Sequence, residues 1–411
     1  MKRFVHPAAL LIAAGLTACA AAPANKPSAP DAAAIHQHVI TFDAEMDIPF
    51  DFMAGDKDAG RETPMQIDLP KMDRGGLDGA AFVVFVPQDK RTPDLYAKAR
   101  ESAQVKLAAL EKMFAAYPER IGLARSADEA EALVKAGKHF AMISVVNAYP
   151  CGEDISCLAD WYARGLRMVA FTHAGHNQFS DSNRPQERFG DGEAEHGGLS
   201  ALGKQAIAEM NRLGIIVDVS QITTDAVMQA VSLSKTPVVA SHVGVRTIVD
   251  TSRNLTDAEM KAIAGKDGVV GIVAFNSYLK APSAEQNADL ASIEKKYGLK
   301  TFTEARSKLM PDQFPKFLTD MDAYRARWPG ATVADMVDSI DYAVKLIGID
   351  HVGISTDMEH SGGVVGYKTA AEAGNLTAEL VKRGYSEADI GKLWSGNFFR
   401  VWRAAEAAAK K

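Results

Sequence analysis

Cysteine is scarce in this chain, with three in 411 residues. That is too few for a disulfide scaffold or a Cys-rich zinc module. Basic charge is not in excess either. Lys and Arg number 46 against 52 Asp and Glu, a net charge of −6, which argues against nucleic acid as a partner because phosphate binding needs a basic surface. No apolar run beyond the N-terminus reaches the roughly 20 residues that span a bilayer. Internal repeats, a P-loop, a Gly-rich nucleotide motif and a nucleophile elbow are all missing. Ser220-Gln221 is not a Ser/His pair, so serine hydrolysis has no support. A hydrophobic content of 47% excludes wholesale disorder. What remains is a mildly acidic, core-forming chain of the kind that makes an enzyme. Its length fits two or three domains, or one α/β barrel.

The N-terminus carries an address. Lys2 and Arg3 precede an apolar run over residues 8–16, which leads into Leu16-Thr17-Ala18-Cys19. A basic start, a short apolar core and small residues before a cleavage point make a secretory signal. Those four residues resemble a bacterial lipobox. Residues 1–18 are therefore expected to be a lipoprotein signal peptide, with Cys19 lipidated; an ordinary signal peptide ending near a cysteine is the alternative. Residues 19–37, rich in Ala, Pro and Ser, read as a flexible tether. The expected location is exported and lipid-anchored, facing the periplasm, at the outer rather than the inner membrane, with membrane contact only through the lipid. In an oxidising compartment Cys151 and Cys157 are expected to pair. A metal role for them is weak, since neither a His nor a third Cys lies beside them.

From residue 38 onward short β-branched runs alternate with amphipathic stretches. The predicted strands are 39–43, 80–86, 140–146, 166–172, 215–219, 237–241, 269–275 and 351–356. They read as near-continuous apolar runs, the pattern of parallel strands buried on both faces. Ser126-Ala-Asp-Glu and Thr256-Asp-Ala-Glu look like helix capping starts. The prediction is a single α/β domain over 38–411, a (β/α)8 TIM-like barrel with a helical insertion at 280–330 between strands seven and eight. The insertion would serve as a lid, an oligomer contact or both.

Chemistry in such barrels sits at the C-terminal strand ends. Glu45 and Asp47 follow strand one, Val146-Asn147 ends strand three and His173 follows strand four. Gln221 follows strand five, His242 sits at strand six, Asn276 follows strand seven and Asp357 follows strand eight. Each alone is an unremarkable loop residue; their convergence on one mouth carries the argument. Three carboxylates this close need compensation. Glu45, Asp47, Asp357 and His242 would suit one divalent ion, Zn²⁺ or Mn²⁺. The alternative is neutralisation by Arg253 or another nearby base.

At these residues the chain resembles the membrane (renal-type) dipeptidase family of metallopeptidases, within the amidohydrolase-like barrels. The likeness runs from about residue 38 to 403, through Phe42-Asp-Ala-Glu-Met-Asp-Ile-Pro49, Ile67-Asp-Leu-Pro-Lys-Met72 and Gly165-Leu-Arg-Met-Val-Ala-Phe-Thr-His173. It continues through Glu209-Met-Asn-Arg-Leu-Gly-Ile-Ile-Val-Asp-Val-Ser220, Ala240-Ser-His242, Ser252-Arg-Asn-Leu255, Asp350-His-Val-Gly-Ile-Ser-Thr-Asp357 and Gly396-Asn-Phe-Phe-Arg400. The resemblance implies a two-metal site whose bridging hydroxide attacks a peptide carbonyl.

Three of the six implied ligand positions differ. Glu45 stands where the family has His, Val146 where it has a bridging Glu, and Gln221 where it has His; His242 and Asp357 are retained. Without the bridge, two close dications would repel, so the expectation is one metal or none. The resemblance further implies that His173 contacts the reacting carbonyl and that Arg253 pairs with a substrate carboxylate. A helix-terminus salt bridge to Asp257 is the competing reading for Arg253. Asn276 falls where the family has a Tyr, as a substrate contact. A homodimer is also implied. Two functional readings follow. One is a metal-dependent dipeptidase of altered site, with Asp357 as base and His173 steadying the oxyanion. The other is a catalytically inactive relative that binds a peptide or a protein partner.

Overall fold

Eight parallel strands follow one another around a ring. A computed structural model describes residues 31–302, 305–310 and 312–409; the expected signal peptide, Cys19 and the tether up to residue 30 lie outside them. The strands are β1 (Phe42–Asp47), β2 (Gly79–Phe85), β3 (Ile121–Leu123), β4 (His139–Val146), β5 (Leu166–Ala170), β6 (Ile216–Asp218), β7 (Val239–Val243), β8 (Val269–Val273) and β9 (Val352–Ser355). Their lateral order is β1-β2-β4-β5-β6-β7-β8-β9, with β3 paired only to β4. The ring closes between β9 and β1. The Asp47 N–H donates to the Met358 carbonyl at 3.1 Å, and the Asp357 N–H to that of Glu45 at 3.1 Å. This is the α/β TIM-like barrel that the sequence predicts.

Sequence and structure differ at strand one. It runs Phe42–Asp47 instead of 39–43; a helix ends at His38, and residues 39–41 form an irregular link into the strand. Ala32–His38, all but its last residue within the stretch read as tether, is a helix held by buried His36, whose ring bonds Thr377 Oγ1 and the Gly75 carbonyl, each at 2.7 Å. Glu45 and Asp47 are therefore strand residues rather than loop residues. The short β3 was not expected; it lies off the ring and leaves the count of eight intact.

The two ends of the barrel differ in chemistry. Where the strands begin, Phe42, Phe140, Met168, Ile216, Val239 and Val269 pack with Phe398, Phe399 and Trp402 of the last helix, Asn397–Ala409. Near the strands' C-terminal ends, Val83, Phe85, Val146 and Ala170 form a small apolar floor. Both sequence-read helix starts are capped: Ser126 Oγ accepts the Glu129 N–H at 3.0 Å, and Thr256 with Glu259 forms a reciprocal box. Between β8 and β9 the insertion builds helices Ala284–Lys296, Ala305–Lys308 and Phe314–Arg327 around Leu299, Ala305, Phe317 and Met321. Cys151 and Cys157 are joined as a disulfide, their Cα atoms 5.6 Å apart.

Asp43 strengthens the closing seam. Its carboxylate accepts the Thr356 N–H at 3.0 Å and the Thr356 hydroxyl. Complete burial pushes its pKa up to about 7, against the opposing pull of its bonds to Thr356 and Glu45. The folded value exceeds the ordinary 3.8, so the protonated group's contribution to stability is complete below the ordinary value and lost as pH rises through the folded one. In urea unfolding, wild-type stability relative to Asp43→Asn is expected to fall between about pH 4 and about pH 7. A pH-independent difference would contradict this assignment.

Candidate functional site

Side chains past the strand ends line a cavity of about 170 Å³: His173, Arg184, Gln221, Arg253, Phe275, Tyr278, Asp357, His360 and Ser361. Wider clefts, of about 750 Å³ beside Tyr96 and about 500 Å³ against the insertion, are lined by loop and helix residues. Three residues that end or follow a strand, Asn147, Gln221 and Asp357, take left-handed φ of 69°, 70° and 56°. Such strain is uncommon outside glycine and clusters at functional sites.

Of the sequence candidates, His173, Arg253 and Asp357 meet in this cavity, with Glu45, Asp47 and His242 packed beside it. Asn276 does not join them. It is exposed at the foot of the insertion, where its Oδ1 accepts the Ala331 N–H. The aromatic lining comes instead from Tyr278, whose ring lies 5.1 Å from the Arg253 guanidinium. Asn147 is also turned away: its amide bonds the Val86 carbonyl and Asn177. The salt bridge between Arg253 and Asp257 does not form, as Asp257 accepts from Thr247 and Tyr342.

Three further groups escaped the sequence reading. Arg184 lies in an irregular loop and carries no local signal. His360 stands three residues past Asp357, beyond the first polar residue after the strand. Lys106 had a readable mark: it falls on the buried stripe Ala99, Ala103, Lys106, Leu110, Met113 of helix Pro93–Ala116, where a lysine is out of place.

These groups settle the carboxylates. Asp47 Oδ1 accepts from Lys106 Nζ at 2.8 Å, a pair in which both side chains are under a tenth exposed. Asp47 Oδ2 faces His360 Nδ1 at 3.3 Å. Burial opposes a charge on His360, but the Asp47 bond and the nearby Asp357 charge hold its pKa above the ordinary value. Glu45 and Asp357 face one another. Burial first, then the Asp357 charge, drives the Glu45 carboxyl well up, while burial lifts Asp357 to about 6. Of the two carboxyls, Glu45 is thus the one more strongly driven toward its protonated form.

His242 is fixed by a chain whose proton directions follow from one end. Arg184 Nη2 can only donate, and it lies 2.7 Å from Gln221 Oε1. Gln221 Nε2 then donates to His242 Nε2 at 2.7 Å. The ring proton must sit on Nδ1, which meets Ser241 Oγ at 2.7 Å; Ser241 in turn donates to Asp218 Oδ2 at 2.5 Å. Burial and the charges of Arg253 and Arg184 keep His242 neutral, its pKa well below the usual value. Burial, then Arg184, does the same for His173.

The single-metal set expected from sequence does not assemble. Among the described residues no three His, Cys, Asp or Glu side chains come together so as to hold a metal ion. Asp47 is engaged on both oxygens, the His242 Nε2 lone pair is taken by Gln221, and Val146 belongs to the apolar floor. Glu45 Oε2 is left without a partner, and one oxygen cannot replace a coordination sphere. Nitrogen-15 NMR is expected to show His242 neutral and Nδ1-protonated over about pH 6–8. Gln221→Leu, which strips the partner from Arg184 and from His242, is expected to lower stability by about 1–3 kcal/mol.

Residues 30–411 match the family model of the membrane dipeptidases, peptidase family M19. Dipeptidase aclJ of Aspergillus oryzae is 26% identical over 352 residues, 84% of this chain and 71% of that protein. Dipeptidase tcpJ of Claviceps purpurea is 24% identical over 367 residues, 88% of this chain and 74% of that protein. Among solved structures, the probable dipeptidase PvdM from Pseudomonas aeruginosa aligns with a TM-score of 0.83 at 39% identity, covering 92% of this chain and 98% of that one. A metallopeptidase from Rhodobacter sphaeroides, liganded with a phosphinate mimic of the dipeptide L-Ala-D-Ala, shares the fold at a TM-score of 0.65 and 21% identity, covering 89% of this chain and 99% of that one. A family match across almost the whole chain, on a barrel of this build, makes the chain a member of the membrane dipeptidase family.

Proposed function

We propose that the barrel mouth binds a dipeptide-sized molecule by its terminal carboxylate and hydrolyses its peptide bond. Arg253 carries this reading. It is 3% exposed and lines the cavity, yet its Nε and Nη1 have no hydrogen-bond partner. A buried guanidinium with unspent donors calls for an anion, and its planar fork fits a carboxylate. The cavity holds roughly five or six water volumes, the bulk of a small dipeptide rather than of a protein chain.

The side chains supply a balanced hydrolysis. Asp357 accepts a proton from water as the water oxygen attacks the carbonyl carbon. Neutral His173 donates a hydrogen bond to the developing oxyanion. As the C–N bond breaks, the Glu45 proton passes to the leaving amine. A second reading, ligand binding without turnover, is favoured by the Lys106 ammonium on Asp47. A panel of L,L and L,D dipeptides separates the two. Hydrolysis that disappears in Asp357→Asn supports turnover; saturable binding without hydrolysis, lost in Arg253→Ala, supports the second reading. Neither hydrolysis nor binding would overturn both. Arg253→Ala is expected to raise KM or Kd on the order of 10–100-fold.

The same proposal places the protein outside the cytoplasm, held by lipid on Cys19. The Leu16-Thr17-Ala18-Cys19 motif and the Cys151–Cys157 disulfide support this, and among the described residues no helix is long and apolar enough to cross a membrane. Labelling cells with radioactive palmitate is expected to mark the wild type and to leave Cys19→Ala unmarked.

A further inference from the structure

We propose that the Lys106 ammonium stands in for the metal cation, so that this barrel mouth is complete without a metal. The inference rests on membership of a metallopeptidase-like family and is independent of whether the site turns substrate over. Lysine is almost never fully buried unless paired, and Lys106 is 2% exposed in the middle of helix Pro93–Ala116. Its Nζ meets Asp47 Oδ1 at 2.8 Å. Two aromatic rings support it, with centroids 4.9 Å away at Phe50 and 5.7 Å at Phe85, the faces that attract a cation. The charge thus reaches the strand-one carboxylate from beside the apolar floor formed by Phe85 and Val146.

The remaining donors are committed in a concerted way. His360 covers the other Asp47 oxygen, and Gln221 caps the lone pair of His242. Val146 offers carbon where a bridging anion would be needed. A dication entering here would face Lys106 and the two cavity guanidiniums, Arg184 and Arg253, at short range in a poorly screened site. Val146 and Gln221 each remove a ligand from the metal pattern, and Lys106 adds a positive charge. Together they turn a site for cations into one that already owns its cation.

The test uses the full chain, stripped with EDTA, refilled with Zn²⁺ or Mn²⁺ and desalted, then measured by elemental analysis and by thermal unfolding with and without added metal. The wild type is expected to retain substoichiometric metal and to unfold at the same temperature in either condition. Lys106→Met keeps the apolar stem and deletes the charge. It is expected to bind zinc roughly tenfold or more tightly than the wild type and to unfold at a higher temperature when zinc is added. Lys106→Gln serves the same purpose should Lys106→Met fail to fold. About one ion per wild-type chain would overturn the proposal. So would a folded variant that takes up no more metal than the wild type, since Lys106 would then be a packing residue and not the cation's replacement. Loss of dipeptide hydrolysis bears only on the catalytic reading; the metal content and unfolding shifts bear on this one.

Discussion

Closure of the barrel between its first and last strands is the constraint on which the mouth depends. The seam is narrow: two backbone hydrogen bonds join Glu45 and Asp47 to Asp357 and Met358, and Asp43 adds a buried carboxylate bond to Thr356. Closing the ring there necessarily brings Glu45, Asp47 and Asp357 together in a water-poor place. Three anions cannot share such a place without compensation, because burial and mutual repulsion both disfavour the charged forms. The positions of the surrounding polar groups follow from that demand.

Compensation comes in two forms. One carboxyl, Glu45, is pushed by burial and by the Asp357 charge toward its protonated form. Asp47 stays between two basic groups, Lys106 and His360. His242 is fixed as well: with Arg184 fixing Gln221 and Gln221 fixing His242, the ring is held from both sides. These arrangements are mutually consistent. An ammonium and a histidine answer the charge of Asp47 from two sides. The unspent donors of Arg253 are what remains available for a ligand.

Much of the fold was legible because burial writes itself into the sequence. Most ring strands are apolar on both faces, as a parallel barrel demands, whereas β1 carries Asp43, Glu45 and Asp47; the Ser126 and Thr256 caps are local and readable in four residues. The family motifs around His173, His242 and Asp357 pointed to the mouth for the same reason, since each lies at or just past the C-terminal end of a strand. The start of strand one was misplaced because the Ala-rich run before it has the composition of a linker, whereas contacts with Gly75 and Thr377 make it a helix. Those partners are distant in sequence and leave no local mark.

The sequence by itself determined the alternation of strands and helices, the barrel and the carboxylates at its mouth. It could not determine which base would answer those carboxylates. Lys106 lies 59 residues from Asp47 along the chain, and only the packing of helix Pro93–Ala116 against the barrel delivers its ammonium. Asn276 and Tyr278 are two residues apart, but the turn after β8 sends one to the insertion and the other to the cavity. Pairing of charges across a closed ring depends on three-dimensional proximity, and the tertiary structure alone decides that.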